Sequence, residues 1–304
     1  MLAREVVWLT GVVAYEQASQ VLERIGGYSV PPSTVWKHTQ QHGQRLVAYQ
    51  DYQQRQVSLE RTVWEDRRYA AQSRKGVSLD GGMVNIRDEG WKEVKVAVVS
   101  TLLPPEAQTE TQTAPVCQDM QYTAVLGSVE QFAPAVWALA VEQQVPYAGH
   151  VAVTADGAAW IWTLVADLFP CSAQIVDWYH ATNHLADAVQ TRYPTDTAAA
   201  QRWMTQLKEQ LIKDEVWKII GALHEAGLPQ HAAYFEEHQY RMLYAMFRAE
   251  GFPIGSGVIE SGVKQFKHRL AGPGMRWSRP GAQRMLTIRS AVLNRSFDRL
   301  WQAA

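Results

Sequence analysis

The chain of 304 residues contains little cysteine, no long apolar run and almost no net charge. Cys117 and Cys171 are too few for a disulfide framework or a four-cysteine zinc site, so a reducing compartment is expected. No apolar stretch approaches the length of a membrane span, and the first residues lack a signal-peptide cleavage pattern. We therefore expect a cytoplasmic protein with no membrane partner. Its 47% hydrophobic residues are ample for a core.

The net charge of −1 hides an uneven distribution along the chain. Residues 251–304 hold nine Lys or Arg against Glu260 and Asp298, a net of +7, which leaves −8 for the rest. A basic end on a neutral protein suits an anionic polymer such as nucleic acid. A solvated helical surface produces the same composition, so charge alone leaves both interpretations open.

The N-terminal region, residues 1–72, is helical in pattern. An amphipathic helix is predicted over 12–25, a turn over 29–33, and a second helix reaching about Val47. Polar residues on the second helix suit a helix-turn-helix DNA reader, but a plain helical hairpin gives the same pattern. Residues 51–75 are rich in Gln and Arg and indicate a polar helix or connector.

From Val77 the pattern changes to strands and helices in the order β-β-β-α-β-α-β. Strands are predicted from Val77 and over 91–103, 120–126, 150–154 and 172–178, with helices over 129–144 and 158–169. The last strand–helix–strand unit implies parallel strands and a right-handed crossover. The fourth strand stops at Asp156-Gly157, which places a carboxylate where ligands bind in open α/β sheets.

The remainder of the chain contains a long helical segment and a basic end. Residues 181–250 show helical spacing and no strand signal, so we predict a helical insertion over 181–254, longer than an ordinary connection. The α/β pattern closes with Gly255-Ser256-Gly257, a helix over 258–270, a basic turn and a final helix over 281–300. Residues 73–180 and 255–304 are then the two parts of one core.

Three acidic residues occupy positions suited to catalysis. Asp80 ends or bisects the first strand, Asp156 ends the fourth, and Glu260 lies in the first turn of the helix after the insertion. Two carboxylates from neighbouring strands and one from a helix could bind two hard cations that act on a phosphodiester. Taken singly, each has a plain explanation, because Asp-Gly is a common turn and the helix dipole favours an early Glu. Lys264 and Lys267 follow Glu260 on one helical stripe, as a phosphate backbone leaving the site would need.

Three stretches in this order resemble the DDE transposases, in particular the ISKra-type insertion-sequence transposases related to the bacterial Mutator-like group. They are VSLDGGMVNIRDEGWKEVKV, VTADGAAWIWTLVADLFPCSAQIVDWYHATNHL and GSGVIESGVKQFKHRLAGPGMRWS, and the resemblance covers residues 73–294. It implies a ribonuclease-H-like mixed sheet flanked by helices, an α/β fold with an all-helical insertion and an N-terminal helical region. It also implies that Asp80, Asp156 and Glu260 are the catalytic and metal-binding triad and that Asp177-x-x-His180 is the family signature.

The resemblance further implies the cofactor, the partners and the reaction. Two Mg²⁺ or Mn²⁺ ions would bind per site, and the partners would be element-end and target DNA, bound by a homodimer or larger assembly in the bacterial nucleoid. Water would cut the strand, and the freed 3′-hydroxyl would join it to the target. The residues expected to contact DNA are the cations after Glu260 and the tryptophan among them: Lys264, Lys267, Arg269, Arg276, Trp277 and Arg279.

Two other functions remain open, and so does the role of two histidines. One alternative is a nuclease of the same fold that cuts without joining. The other is a truncated or inactive transposase-derived DNA-binding protein, which the intact triad disfavours and the short N-terminal region favours. His180 and His184 follow Asp177 one helical turn apart and could bind zinc, although the zinc-protease motif His-Glu-x-x-His is absent at these positions. His180 could instead support the triad, contact the scissile phosphate or pack in the core.

Overall fold

The computed structural model describes residues 2–58, 70–103 and 117–304, which form a five-stranded mixed sheet flanked by helices. The strands are β1 (Ala70–Ile86), β2 (Gly90–Leu102), β3 (Cys117–Val125), β4 (Ala148–Ala155) and β5 (Ala173–Val176). Their order across the sheet is β3-β2-β1-β4-β5. β1, β2 and β3 pair antiparallel, whereas β4 and β5 continue from β1 in parallel. The predicted α/β class is therefore confirmed.

Helices precede, cover and follow the sheet. The N-terminal helices are α1 (Leu2–Thr10), α2 (Tyr15–Gly26) and α3 (Pro32–Ser58), and those among the later strands are α4 (Val129–Glu142) and α5 (Ala159–Leu168). After β5 come α6 (Trp178–Arg192), α7 (Thr197–Ile212), α8 (Val216–Glu225), α9 (Pro229–His238) and α10 (Tyr244–Ala249). The last helices are α11 (Gly257–Leu270), α12 (Arg279–Leu293) and α13 (Phe297–Ala303). None of the helices in the described ranges combines the length and apolar character that a membrane crossing requires.

Both faces of the sheet are buried because helices cover each side. On β2, Ala97 belongs to the core formed with α4 to α10, whereas Val96 belongs to the core formed with α11 and α12. β1 follows the same alternation, since Leu79 lies in the first core and Val84 in the second. Asp80 therefore lies on the face of the sheet that α11 covers.

The first strand begins earlier than its sequence pattern predicts. β1 starts at Ala70 and not at Val77, so Asp80 lies inside the strand. The physical reason is pairing with other strands, because Ala70 and Arg74 are in register with β4, and from Lys75 onward β1 also pairs with β2. Such pairing satisfies the backbone of a polar segment that shows no strand periodicity of its own. The predicted connector over 51–75 is thus partly helix and partly strand, and residues 59–69 lie outside the described part of the chain.

The predicted final helix over 281–300 is divided into α12 and α13. The break lies at 294–296, where Arg295 adopts a left-handed backbone with φ of 54°. The Asn294 side chain accepts a hydrogen bond from Tyr122 N at 2.7 Å and donates one to Tyr122 O at 2.9 Å. The side-chain amide thus pairs with the edge of β3 as a strand residue would, and the helix ends there.

Arginines of the basic C-terminal segment hold the N-terminal helices in place. Arg284 on α12 donates to the side chains of Gln40 and Gln44 on α3. Arg289 on the same helix donates to Gly11 O at 2.9 Å. Part of the positive charge of residues 251–304 therefore serves contacts within the protein and does not require a nucleic-acid partner.

Candidate active site

Asp80 and Asp156 lie side by side where β4 ends against β1. Leu79 of β1 is in register with Ala155 of β4, and the two strands run parallel. The next residue on each strand is therefore a carboxylate at the same level of the sheet. The structure thus brings together the two predicted aspartates, which are 76 positions apart in the sequence.

The two carboxylates repel each other in a partly buried setting. Burial raises the pKa of Asp80, and the negative charge of Asp156 raises it further. A hydrogen bond from Gly81 N at 2.6 Å lowers the pKa of Asp80, and so do the charges of His180 and Lys267. These interactions place His180 and Lys267 within electrostatic range of Asp80. Two acids held together against their repulsion form a site suited to a cation.

Glu260 lies on α11, on the same side of the sheet as Asp80. α11 passes directly over Gly82 of β1, where an added Cβ atom would meet side chains of the helix at 3.2 Å. The carboxylate of Glu260 accepts a hydrogen bond from Ser256 Oγ at 3.3 Å and lies 3.6 Å from Lys264 Nζ. Its carboxylate is thus engaged by its own helix. Within residues 2–58, 70–103 and 117–304, no three His, Cys, Asp or Glu side chains form a group that could hold a metal ion.

Asp177 joins the end of β5 to the loop that precedes α11. Its side chain is fully buried and accepts hydrogen bonds from two backbone amides, His180 N at 2.8 Å and Ser256 N. Because Ser256 also donates to Glu260, Asp177 positions the third carboxylate without touching it. The sequence marks Asp177 as part of a signature, but its partner Ser256 is 79 residues away and no local pattern points to it.

Replacing Asp177 with Ala should lower the free energy of unfolding by about 3 kcal/mol, because two buried N–H groups would be left without a charged acceptor. Denaturant unfolding followed by circular dichroism measures this change. Asp187→Ala, at an exposed position of the same helix, is the matched control. A decrease at Asp177 no larger than that of the control would contradict the positioning role.

The helix α9 brings aromatic side chains against the loop after Asp156. The ring of Tyr234 occupies the space beside Gly157, where an added Cβ atom would lie 2.5 Å from it. His184 stacks on Tyr234 with ring centroids 3.6 Å apart. Burial raises the pKa of Tyr234, and the nearby charge of Asp156 raises it further. The hydroxyl of Tyr234 is buried and has no hydrogen-bond partner among the described residues. Sequence periodicity placed α9 in the insertion but gave no sign of this contact.

The two histidines of the signature region have different environments. His180 is exposed, so its interpretation as a packed core histidine is wrong. His184 is half-buried, and burial lowers its pKa. Its ring, stacked on Tyr234, joins α6 to α9.

Four of the six residues predicted to contact DNA are exposed: Lys264, Lys267, Arg276 and Arg279. Arg279 forms two hydrogen bonds to the carboxylate of Glu89, the shorter at 2.5 Å. Lys264 has a side chain 77% exposed, so its contact with Glu260 is weak and leaves the ammonium available.

Arg269 and Trp277, the other two residues predicted to contact DNA, are buried. Arg269 is 2% exposed and donates from Nε to Thr10 O at 2.6 Å. Trp277 is 8% exposed, and its indole N–H donates to Leu270 O at 2.8 Å. Each therefore packs within the protein, at or beside the turn that precedes α12.

The described geometry defines an acidic, partly buried site at the end of β4, covered by α11 and closed near Gly157 by α9. No protein-family model matches the chain, and no curated protein matches it. The arrangement of Asp80, Asp156 and Glu260 is therefore the feature of the protein from which a function can be inferred.

Proposed function

We propose that the protein is a transposase that cuts DNA at the ends of an insertion sequence and joins them to target DNA by two-metal phosphoryl transfer. The observation that carries this proposal is the pairing of Asp80 with Asp156 at the end of β4, beneath the helix that bears Glu260. Three antiparallel strands continued by two parallel ones, with acids on neighbouring strands, support a ribonuclease-H-like assignment.

The donor atoms present suit divalent cations. Asp80 and Asp156 would hold Mg²⁺ or Mn²⁺. Glu260, which does not form a group with them among the described residues, would have to approach them as the third ligand when the cations bind. All three donors are carboxylates, which such hard cations prefer. Burial, and then the charge of Asp156, raise the pKa of Asp80, and a bound cation would oppose both effects. When bound, the cations would neutralise charge on the phosphate and make the nucleophile more acidic. Through Ser256, Asp177 would keep Glu260 on the correct side of the sheet.

The surface beyond Glu260 supports DNA as the partner. Lys264 and Lys267 lie one and two turns further along α11 and are exposed. Ammonium groups at these positions would bind phosphates on either side of the reacting one. We propose that a homodimer or larger assembly holds the two element ends together with the target.

Strand cleavage and joining should require a divalent cation. Purified protein, given DNA from the regions that flank its gene, should cut and join strands in Mg²⁺ and do neither in excess EDTA. Gel analysis of labelled DNA measures both reactions, and added Mg²⁺ should restore them. Full activity in EDTA would contradict the two-metal proposal. DNA strands that are cut but not joined would favour a nuclease of the same fold. DNA binding without cutting would favour an inactive, transposase-derived DNA-binding protein.

Replacing both Lys264 and Lys267 with Ala should weaken binding to all DNA sequences alike. The slope of log K against log salt should flatten by about 0.9 for each duplex phosphate that the protein no longer neutralises. Fluorescence anisotropy over a series of salt concentrations measures this slope. The double change Lys208→Ala and Lys213→Ala, at exposed positions in and after α7, is the control. Equal slopes for the two double variants would place the DNA elsewhere.

A further inference from the structure

A cleft of about 560 Å³ opens between the N-terminal helices and the turn that precedes α12. Its lining includes three arginines and three aromatic residues: Arg87, Arg269, Arg276, Tyr15, Trp36 and Trp277. Arg87 lies seven residues beyond Asp80 along and just past β1, which corresponds to about 23 Å of extended chain. The cleft is therefore separate from the acidic site.

Among the described residues that line the cleft, positive charge exceeds negative charge. Glu16 is the one acid among the described residues that line it, against three arginines. Arg269 is 2% exposed, and its Nη2 atom makes no hydrogen bond within the described residues. The charge of Arg289 lies close enough to lower the pKa of Arg269, an effect that adds to burial. Burying a guanidinium is costly. An anion in the cleft would offset that cost together with the hydrogen bond from Arg269 to Thr10 O and the aromatic rings beneath its charge.

Two helices begin at this cleft. Tyr15 and Glu16 form the first turn of α2, and Ser278 and Gly281 belong to the start of α12. The N-termini of both helices present positive dipole ends, which favour an anion such as a phosphate group. The helices have 12 and 15 residues, so each is long enough for its peptide dipoles to add to an appreciable positive end. They reinforce the field of the buried Arg269.

The aromatic residues give the cleft a second kind of surface. Trp36 on α3 lines the cleft and is 48% exposed. Tyr15 and Trp277 pack edge to face with ring centroids 6.3 Å apart, and Arg269 lies over both rings. These two rings are fixed by packing, whereas the Trp36 ring is free to stack on a planar ligand.

We propose that this cleft binds one nucleotide, with its phosphate near Arg269 and Arg276 and its base against Trp36. The nucleotide could come from a DNA strand or from solution, since both present the same phosphate and base. The DNA source rests on the proposed function, whereas the site itself does not. One nucleotide of a strand held here would anchor DNA at a distance from the acidic site.

Isothermal titration calorimetry with deoxyadenosine monophosphate tests this site on the full chain. We expect saturable binding that is at least about fivefold tighter than that of either inorganic phosphate or deoxyadenosine. Trp36→Ala and Arg276→Ala should each weaken it by about fivefold or more, and both positions are exposed, so the fold should tolerate them. Trp217→Ala on α8, a residue 68% exposed that does not line the cleft, should bind like the parent.

Single-stranded DNA distinguishes the two sources. Displacement of the mononucleotide by a short oligonucleotide would assign the cleft to a DNA strand, and failure to displace it would assign the cleft to a free nucleotide. No binding of the mononucleotide, equal binding of phosphate alone, or unchanged binding by both variants would overturn the proposal. Glu260→Gln should bind the mononucleotide like the parent, so loss of strand cleavage and loss of this site are separate results.

Discussion

Replacing Glu260 with Gln should abolish strand cleavage while leaving the fold and DNA binding intact. Gln keeps the size of the side chain and an oxygen that can still accept the hydrogen bond from Ser256 Oγ. It removes the negative charge that a hard cation requires of its ligand. We expect the cleavage rate to fall by about 100-fold or more, which corresponds to roughly 3 kcal/mol of transition-state stabilisation. Single-turnover cleavage of labelled DNA measures the rate.

Glu250→Gln is the matched control for this prediction. Glu250 is exposed, follows α10 directly, and accepts a hydrogen bond from Arg74 through its backbone carbonyl. Changing its side chain should leave cleavage close to the parent rate. If Glu250→Gln were inactive and Glu260→Gln active, the proposal that Glu260 is the third metal ligand would be wrong.

Replacing Asp80 with Asn should make the protein more stable and inactive at the same time. Burial, and then the charge of Asp156, raise the pKa of Asp80 in the folded protein. Between the ordinary carboxyl pKa and this raised value, the folded state binds more protons than the unfolded chain. Stability therefore falls as pH rises through that interval, and ionised Asp80 remains unfavourable at neutral pH.

Asn removes this penalty and keeps an oxygen for the hydrogen bond from Gly81 N. The expected gain at neutral pH is on the order of 1 kcal/mol, with cleavage reduced by about 100-fold or more. Unfolding of metal-free protein at acidic and neutral pH measures the gain, which should shrink as pH falls. Asp51→Asn, at an exposed position on α3, should change neither property. A destabilised but active Asp80→Asn variant would show that Asp80 has a structural role.

The order of elements and the faces they bury could be predicted from the sequence. Alternation along β2 placed Val94, Val96 and Val98 on one face, and all three lie in the core beneath α11 and α12. The apolar stripe of α11 was likewise predicted and is buried in the same core: Ile259, Val263, Phe266 and Leu270. These features depend on spacing within one element, which the backbone geometry of strands and helices fixes locally.

The ends of helices could be predicted from nearby residues such as proline, except where a contact with a distant residue ended the helix. Pro170 limits α5, which ends at Leu168, as the restriction on the residue before proline predicts. The break after α12, in contrast, depends on the Asn294 amide pairing with Tyr122 on β3, 172 positions away. The helical periodicity of residues 281–300 does not predict that pairing.

By itself, the sequence determined the α/β class and the three acids worth testing, because strand periodicity and turn residues place a carboxylate at the end of a strand. Only the tertiary structure decided which of these residues meet. The parallel register of β1 and β4 sets Asp80 beside Asp156, and packing against α2 buries Arg269 instead of exposing it. Register and burial arise from contacts between residues distant in the chain, and a local pattern carries no information about which distant residue will be the partner.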